Sequence, residues 1–108
     1  MENKITQLIR ALNAFDVETA LTLFETNAVI NDVSVGEKFK NTAGVRKYLE
    51  QFFVGYNTKT RIECVEVIDS LSINTQVDFT GNFGHETGAL NFTFNTAGLI
   101  IKINAHLN

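Results

Sequence analysis

Few side chains in this chain have the type and setting that chemistry needs, and the strongest is Asp32. It ends the stretch Val29-Ile30-Asn31-Asp32, which runs on into Val33-Ser34-Val35-Gly36. Val29 and Ile30 are β-branched and apolar, so the stretch reads as a strand entering a turn. Side chains alternate across a strand, so if Ile30 points into the core, Asp32 does too. A carboxylate aimed into an apolar pocket is a candidate general base. The competing reading is an aspartate that accepts hydrogen bonds from the backbone of the following turn.

The other reactive types are weaker. His85-Glu86 follows Gly84 and reads as an exposed pair at a hairpin tip. His106 falls on the outward row of the last strand, as a surface or subunit-contact histidine. Cys64 is the single cysteine, with no flanking His or Lys to activate it. Thr75 and Tyr56 are candidate polar contacts for a ligand, Tyr56 at a cavity mouth. Tyr48 shares a helical apolar stripe and reads as core. No His/Cys/Asp/Glu spacing suggests a metal set, and no Gly-rich loop suggests phosphate binding. No metal and no cofactor is implied.

The elements that must position Asp32 are legible as patterns. Ile5, Leu8, Ile9, Leu12 and Phe15 mark one face of a helix. Asp16 reads as the N-cap of a second, short helix carrying Val17, Ala20, Leu21 and Phe24. A strand around 28–33 follows, then Gly36 and a short partner strand. Asn41 or Thr42 then caps a third helix striped by Val45, Tyr48, Leu49, Phe52 and Phe53. Beyond Gly55 the chain reads as strands over 59–70, 71–83, 86–95 and 99–107, separated by turn-like breaks. Leu71, Ile73, Thr75, Val77 and Phe79 share one face, continued by Leu90, Phe92 and Phe94, then Leu99, Ile101, Ile103, Ala105 and Leu107. Ser72, Asn74, Gln76, Asp78, Asn91, Thr93, Lys102, Asn104 and His106 make the opposite face polar. The expected sheet is one-sided and antiparallel.

The chain has 108 residues, 44% of them hydrophobic, 19% charged, and nine Phe. That fits a single domain over residues 1–108 with an aromatic-rich core. The net charge of −3 and the lack of any basic cluster argue against nucleic acid or an anionic membrane as partner. One cysteine forms no internal disulfide, no stretch approaches membrane-spanning length, and the N-terminus lacks the apolar run of a signal peptide. A soluble, cytoplasmic protein is the expectation.

Residues 11–32, Ala-Leu-Asn-Ala-Phe-Asp through Ala28-Val29-Ile30-Asn31-Asp32, resemble the opening of the nuclear transport factor 2-like superfamily, the group of SnoaL-like polyketide cyclases and ketosteroid isomerases. The helix after Asn41-Thr42-Ala43-Gly44 and the closing Asn91-Phe92-Thr93-Phe94-Asn95 to Ile103 fit the same pattern. The resemblance spans nearly the whole chain. It implies an α+β fold: a cone-shaped barrel in which a curved antiparallel sheet wraps three N-terminal helices. It implies a cavity lined by the inward rows: Leu8 and Leu12 from the first helix, Phe24 and Ile30 near the first strand, and Leu49 and Phe53 from the third helix. Thr75, Val77, Phe79, Leu90, Phe92, Ile103 and Ala105 complete the lining from the sheet.

In the isomerases the general base is an acid at the end of the first strand, and Asp32 falls on that position. The implied reaction moves a proton between carbons beside a carbonyl. The departures are equally specific. By register, the two oxyanion-hole donors of the isomerases fall on Leu8 and Leu90, and supporting tyrosines fall on Phe24 and Leu49. Losing one such donor costs about 2.7–4 kcal/mol of transition-state stabilisation, so steroid isomerisation is not expected. Many relatives also carry Pro where this chain has Val33. Three functional expectations result. One is an acid-base isomerase or cyclase-type enzyme acting through Asp32 on a small apolar molecule. The second is a non-catalytic ligand binder. The third is a homodimerisation module using the outer sheet face.

Overall fold

A computed structural model describes residues 1–108, and it starts with the amphipathic helix α1 (Glu2–Asn13). Its Ile5, Leu8, Ile9 and Leu12 turn inward and are buried, as their spacing dictates. The chain reverses through Phe15, whose φ is 57°, into the short helix α2 (Val17–Leu21). Asp16 caps α2: its Oδ1 accepts from the Thr19 N–H at 3.1 Å. Phe24 is not part of this helix. It opens β1 (Phe24–Asp32), which is four residues longer at its start than the apolar run suggests. Ala28, Ile30 and Asp32 are the buried members of its second half.

β2 (Glu37–Lys40) returns along β1, with Asp32 opposite Glu37 and Ile30 opposite Phe39. α3 (Asn41–Leu49) follows at once, and neither Asn41 nor Thr42 caps it with a side chain. The expected third-helix stripe is therefore carried by two structures. Val45, Tyr48 and Leu49 are buried on α3, while Phe52 and Phe53 lie on a π-helical turn (Glu50–Val54). That turn is closed by the Gly55 N–H on the Glu50 carbonyl at 2.8 Å. A π-turn widens the helix by one residue and rotates the segment beyond it.

Four strands complete the sheet: β3 (Lys59–Asp69), β4 (Ser72–Gly81), β5 (Gly84–Phe94) and β6 (Ile100–Leu107). The spatial order is β2-β1-β6-β5-β4-β3. β3 to β6 form an antiparallel meander, but β1 lies parallel to β6, so the sheet is mixed. This corrects the expected barrel. Closure requires every strand to have two partners, and here β2 and β3 are free edges that do not meet. The sheet is open, is not strongly curved and does not wrap the helices. Instead α3 packs over β1 and β2, and α1 packs against β3. The core between them joins the helices' apolar faces to Ile73, Val77, Leu90, Phe92, Phe94, Ile100 and Ile103.

Register shifts interrupt β1, β3 and β6, and the one in β6 bears on the core. Thr93 pairs with Lys102 but Phe94 pairs with Ile100, which leaves Ile101 as an extra residue in β6. Ile100 therefore takes the core position, fully buried, and Ile101 is only half-buried. A side-chain pattern alone does not reveal that slip. The two adjacent isoleucines are interchangeable in hydropathy.

Candidate functional site

The inward turn of β1 delivers Asp32 to a cavity of about 320 Å³ between α3, the π-turn and the ends of β4, β5 and β6. Asp32 is 7% exposed and lines that cavity. Three donors converge on it. Its Oδ1 accepts from the Ser34 N–H at 2.9 Å and from the Ser34 hydroxyl at 2.5 Å. Its Oδ2 accepts from the Tyr48 hydroxyl at 2.6 Å. A carboxylate offers about four lone-pair positions, so one on Oδ2 is left without a protein donor. Both readings of Asp32 are thus present at once. One oxygen serves the turn after the strand, and the other keeps an acceptor position.

Tyr48 sits in the core as its helical stripe implies, but it also has a role at the site that the stripe does not show. Its ring does pack in the core, edge-on to Phe39 at 5.0 Å and tilted against Phe52 at 5.0 Å. Its hydroxyl, however, holds Asp32. Burial first, then the hydrogen bond to Asp32 and its negative charge, push the Tyr48 hydroxyl well above the ordinary phenol range. Tyr48 therefore remains a protonated donor. The available signal was that a tyrosine in a helical stripe must satisfy its hydroxyl, and Asp32 was the acid expected on the same side.

Two aromatic rows run outward from Tyr48. One passes to Phe52, then to Tyr56 at 5.9 Å, then to Phe83 at 6.2 Å. The other passes to Phe53 at 6.1 Å and then to Phe79 at 6.2 Å. Tyr56 and Phe83, each 43% exposed, mark the mouth together with Val35 and Leu107. The mouth is held in place by backbone contacts. The Asn82 N–H donates to the Tyr56 carbonyl at 2.8 Å. A Cβ on Gly81 would lie 2.6 Å from that same carbonyl oxygen, so the approach requires glycine.

Of the residues expected to line a cavity, Asp32, Phe53, Phe79, Leu90 and Ala105 do so. Leu8, Leu12, Phe24, Ile30, Leu49, Val77, Phe92 and Ile103 lie instead in the packed core. Thr75 is buried too, and its hydroxyl donates to the Leu90 carbonyl at 3.0 Å, so it is committed to the sheet. The two oxyanion-hole positions separate: Leu8 is in the core and Leu90 is at the cavity wall, and neither has a donor to offer.

Tyr56 lines the cavity, as do Glu86 and His106. The pair His85-Glu86 is split by the pleat. Glu86 stands opposite Phe79 on the inner row, while His85 joins Asp78 and Arg61 outside. Counting back from Leu90 by twos reaches Gly88 and Glu86, and that alternation was the missed signal. No group of three or more His, Cys, Asp and Glu side chains is arranged to hold a metal ion. A second hollow, of about 370 Å³, lies between the start of α1 and the β3–β4 turn. Its walls are mainly exposed side chains such as Glu2, Val67 and Asp69, and it has no aromatic lining.

No protein-family model and no curated protein sequence matches the chain. Solved structures do. The enzyme SalBIII, described as epoxide hydrolase/cyclase-like and involved in pyran ring formation in polyether salinomycin, superposes with a TM-score of 0.87 at 17% identity, covering 99% of this chain and 89% of that chain. A Mycobacterium tuberculosis protein in complex with estradiol-17β-hemisuccinate gives 0.84 at 19% identity, covering 97% and 91%. A nuclear transport factor 2-like protein of unknown function from Cytophaga hutchinsonii gives 0.84 at 12% identity, covering 99% and 88%. The chain has the nuclear transport factor 2-like fold, which it shares with structures described as a ketosteroid isomerase from Kribbella flavida and a polyketide cyclase from Sinorhizobium meliloti. At these identities the likeness defines a fold and leaves the activity to be argued from the site.

Proposed function

We propose that this protein takes a small, largely apolar molecule into the aromatic cavity and that Asp32 acts on it as a general base. The observation that carries this reading is the geometry of Asp32: buried, facing the cavity, fixed by Ser34 and Tyr48, with one acceptor position on Oδ2 left over. A base held rigidly at the wall of a pocket needs no reorganisation to reach a proton on an occupant. The reaction class is proton transfer beside a carbonyl, of the isomerase or cyclase type. Solved proteins of this fold include a cyclase-like enzyme and one holding a steroid ester, which supports a small-molecule cavity as the shared use.

The oxyanion would need a different donor from those at positions 8 and 90. Tyr56 lines the cavity at its mouth and is 43% exposed. Its proposed role is to donate to the carbonyl oxygen of the occupant. Replacing Asp32→Asn should then abolish turnover in a protein that remains folded and still binds neutral ketones. Unchanged turnover would end the base role.

The apolar residues at positions 8 and 90 favour a second reading, binding without turnover. Native mass spectrometry of protein purified from its source should then show a carried ligand in the cavity, and a consistently empty protein would count against it. A homodimer through the outer sheet face is a separate proposal, motivated by Asn74 Oδ1, a buried acceptor on that face with no partner.

A further inference from the structure

The cavity has an unusual charge balance for an apolar pocket. Its lining includes six aromatic rings, those of Tyr48, Phe52, Phe53, Tyr56, Phe79 and Phe83. It includes two carboxylates, Asp32 and Glu86, and none of the nine Lys and Arg side chains of the protein. One carboxylate is at the buried floor and the other at the exposed mouth. An aromatic face carries a negative quadrupole and attracts a cation placed over it. Aromatic walls with carboxylates at the floor and the mouth, and no Lys or Arg among them, therefore favour positive charge. The one lining side chain that can add opposing charge is His106, and it does so only when protonated.

We propose that the occupant is a small organic cation, a compact ring ketone that carries an amine or quaternary ammonium, with its ring against the Phe52–Tyr56–Phe83 row and its charge toward the carboxylates. This rests on the reading of the cavity as a small-molecule site and names the chemistry of its occupant. A neutral apolar ring would fill the same space but would gain nothing from Asp32 and Glu86. An anion would meet both carboxylates without a single Lys or Arg to pair with. The two acids differ in leverage. Asp32 is buried, where a charge is weakly screened, whereas Glu86 is exposed and acts through water and salt.

Three probes of nearly one shape separate these cases: phenyltrimethylammonium, its neutral isostere tert-butylbenzene, and benzenesulfonate. Titration of the whole protein with each, followed by calorimetry or by ligand-observed nuclear magnetic resonance, should rank the cation first, about tenfold tighter than the neutral isostere, with the anion weakest. Asp32→Asn should remove most of that preference. Glu86→Gln, at an exposed position that should not disturb folding, should reduce it at low salt and have little effect at high salt. Equal binding of the cation and the neutral isostere would overturn the proposal while leaving the small-molecule cavity standing. Failure of all three probes to bind would overturn both.

Discussion

Asp32 and Tyr48 form a buried pair in which each explains the other. The phenol gives the carboxylate a donor, and the carboxylate satisfies a hydroxyl that helix packing would otherwise strand in the core. Tyr48→Phe should cost about 1.5–3 kcal/mol, the range for a hydrogen bond to a charged group, read from urea denaturation. Ser34→Ala should cost less, about 0.5–1.5 kcal/mol, because the Ser34 N–H still reaches Oδ1. The pair also has a pH signature. The folded-state value for Tyr48 is raised, so its contribution is complete below the ordinary phenol range and is lost as pH climbs above it. Above about pH 10 stability should fall by about 1.4 kcal/mol per unit from this group, and Tyr48→Phe should remove that part of the slope. The inward aim of Asp32 was legible from the period of two in Ala28, Ile30 and Asp32. Its partner was not, because sequence spacing gives no direct view of a hydroxyl sixteen residues away in another element.

The elements hold the site through a few side chain and backbone clamps. Asn13, at the end of α1, bonds both backbone groups of Thr60: its Nδ2 donates to the Thr60 carbonyl at 2.9 Å, and its Oδ1 accepts from the Thr60 N–H at 2.7 Å. It thereby imitates a neighbouring strand at the free edge of β3. Asn13→Ala should expose that edge and destabilise the protein by about 1–3 kcal/mol, with the amide of Thr60 losing protection in hydrogen exchange. Gly81→Ala should instead act on the mouth. The new methyl would collide with the Tyr56 carbonyl, so probe binding should weaken more than stability does. Strand existence and the inner and outer rows of β4 and of β5 from Leu90 onward were legible, since side chains alternate there. The π-turn and the extra residue in β6 were not. Each inserts one residue among neighbours of equal hydropathy, Phe52-Phe53 and Ile100-Ile101, so period alone has nothing to distinguish.

The whole molecule is an open six-stranded sheet with helices on one face and polar side chains on the other. The helix–sheet architecture and the resemblance to the nuclear transport factor 2-like fold were readable from the chain, but closure was not. Whether two distant edge strands meet depends on accumulated twist and stagger, which side-chain type does not encode. The radius of gyration is 12.5 Å, about that of a lone domain of this length. No helix is long and apolar enough to cross a membrane. If copies associate through the outer face, the contact is wet, built on Asn74, Gln76, Asn91 and Asn104. Sedimentation should then show an oligomer that Asn104→Asp disrupts, and a monomer at high concentration would end that proposal.

The most direct test of Asp32 as a base in this cavity needs no knowledge of the natural substrate. Small cyclic ketones such as indan-1-one, incubated with the protein in heavy water, report removal of the proton beside the carbonyl as loss of a nuclear magnetic resonance signal. The wild-type protein should accelerate that exchange, and Asp32→Asn should lower the acceleration by about 100-fold or more. Equal exchange with the wild-type and Asp32→Asn proteins, both folded and both binding the ketone, would contradict the account.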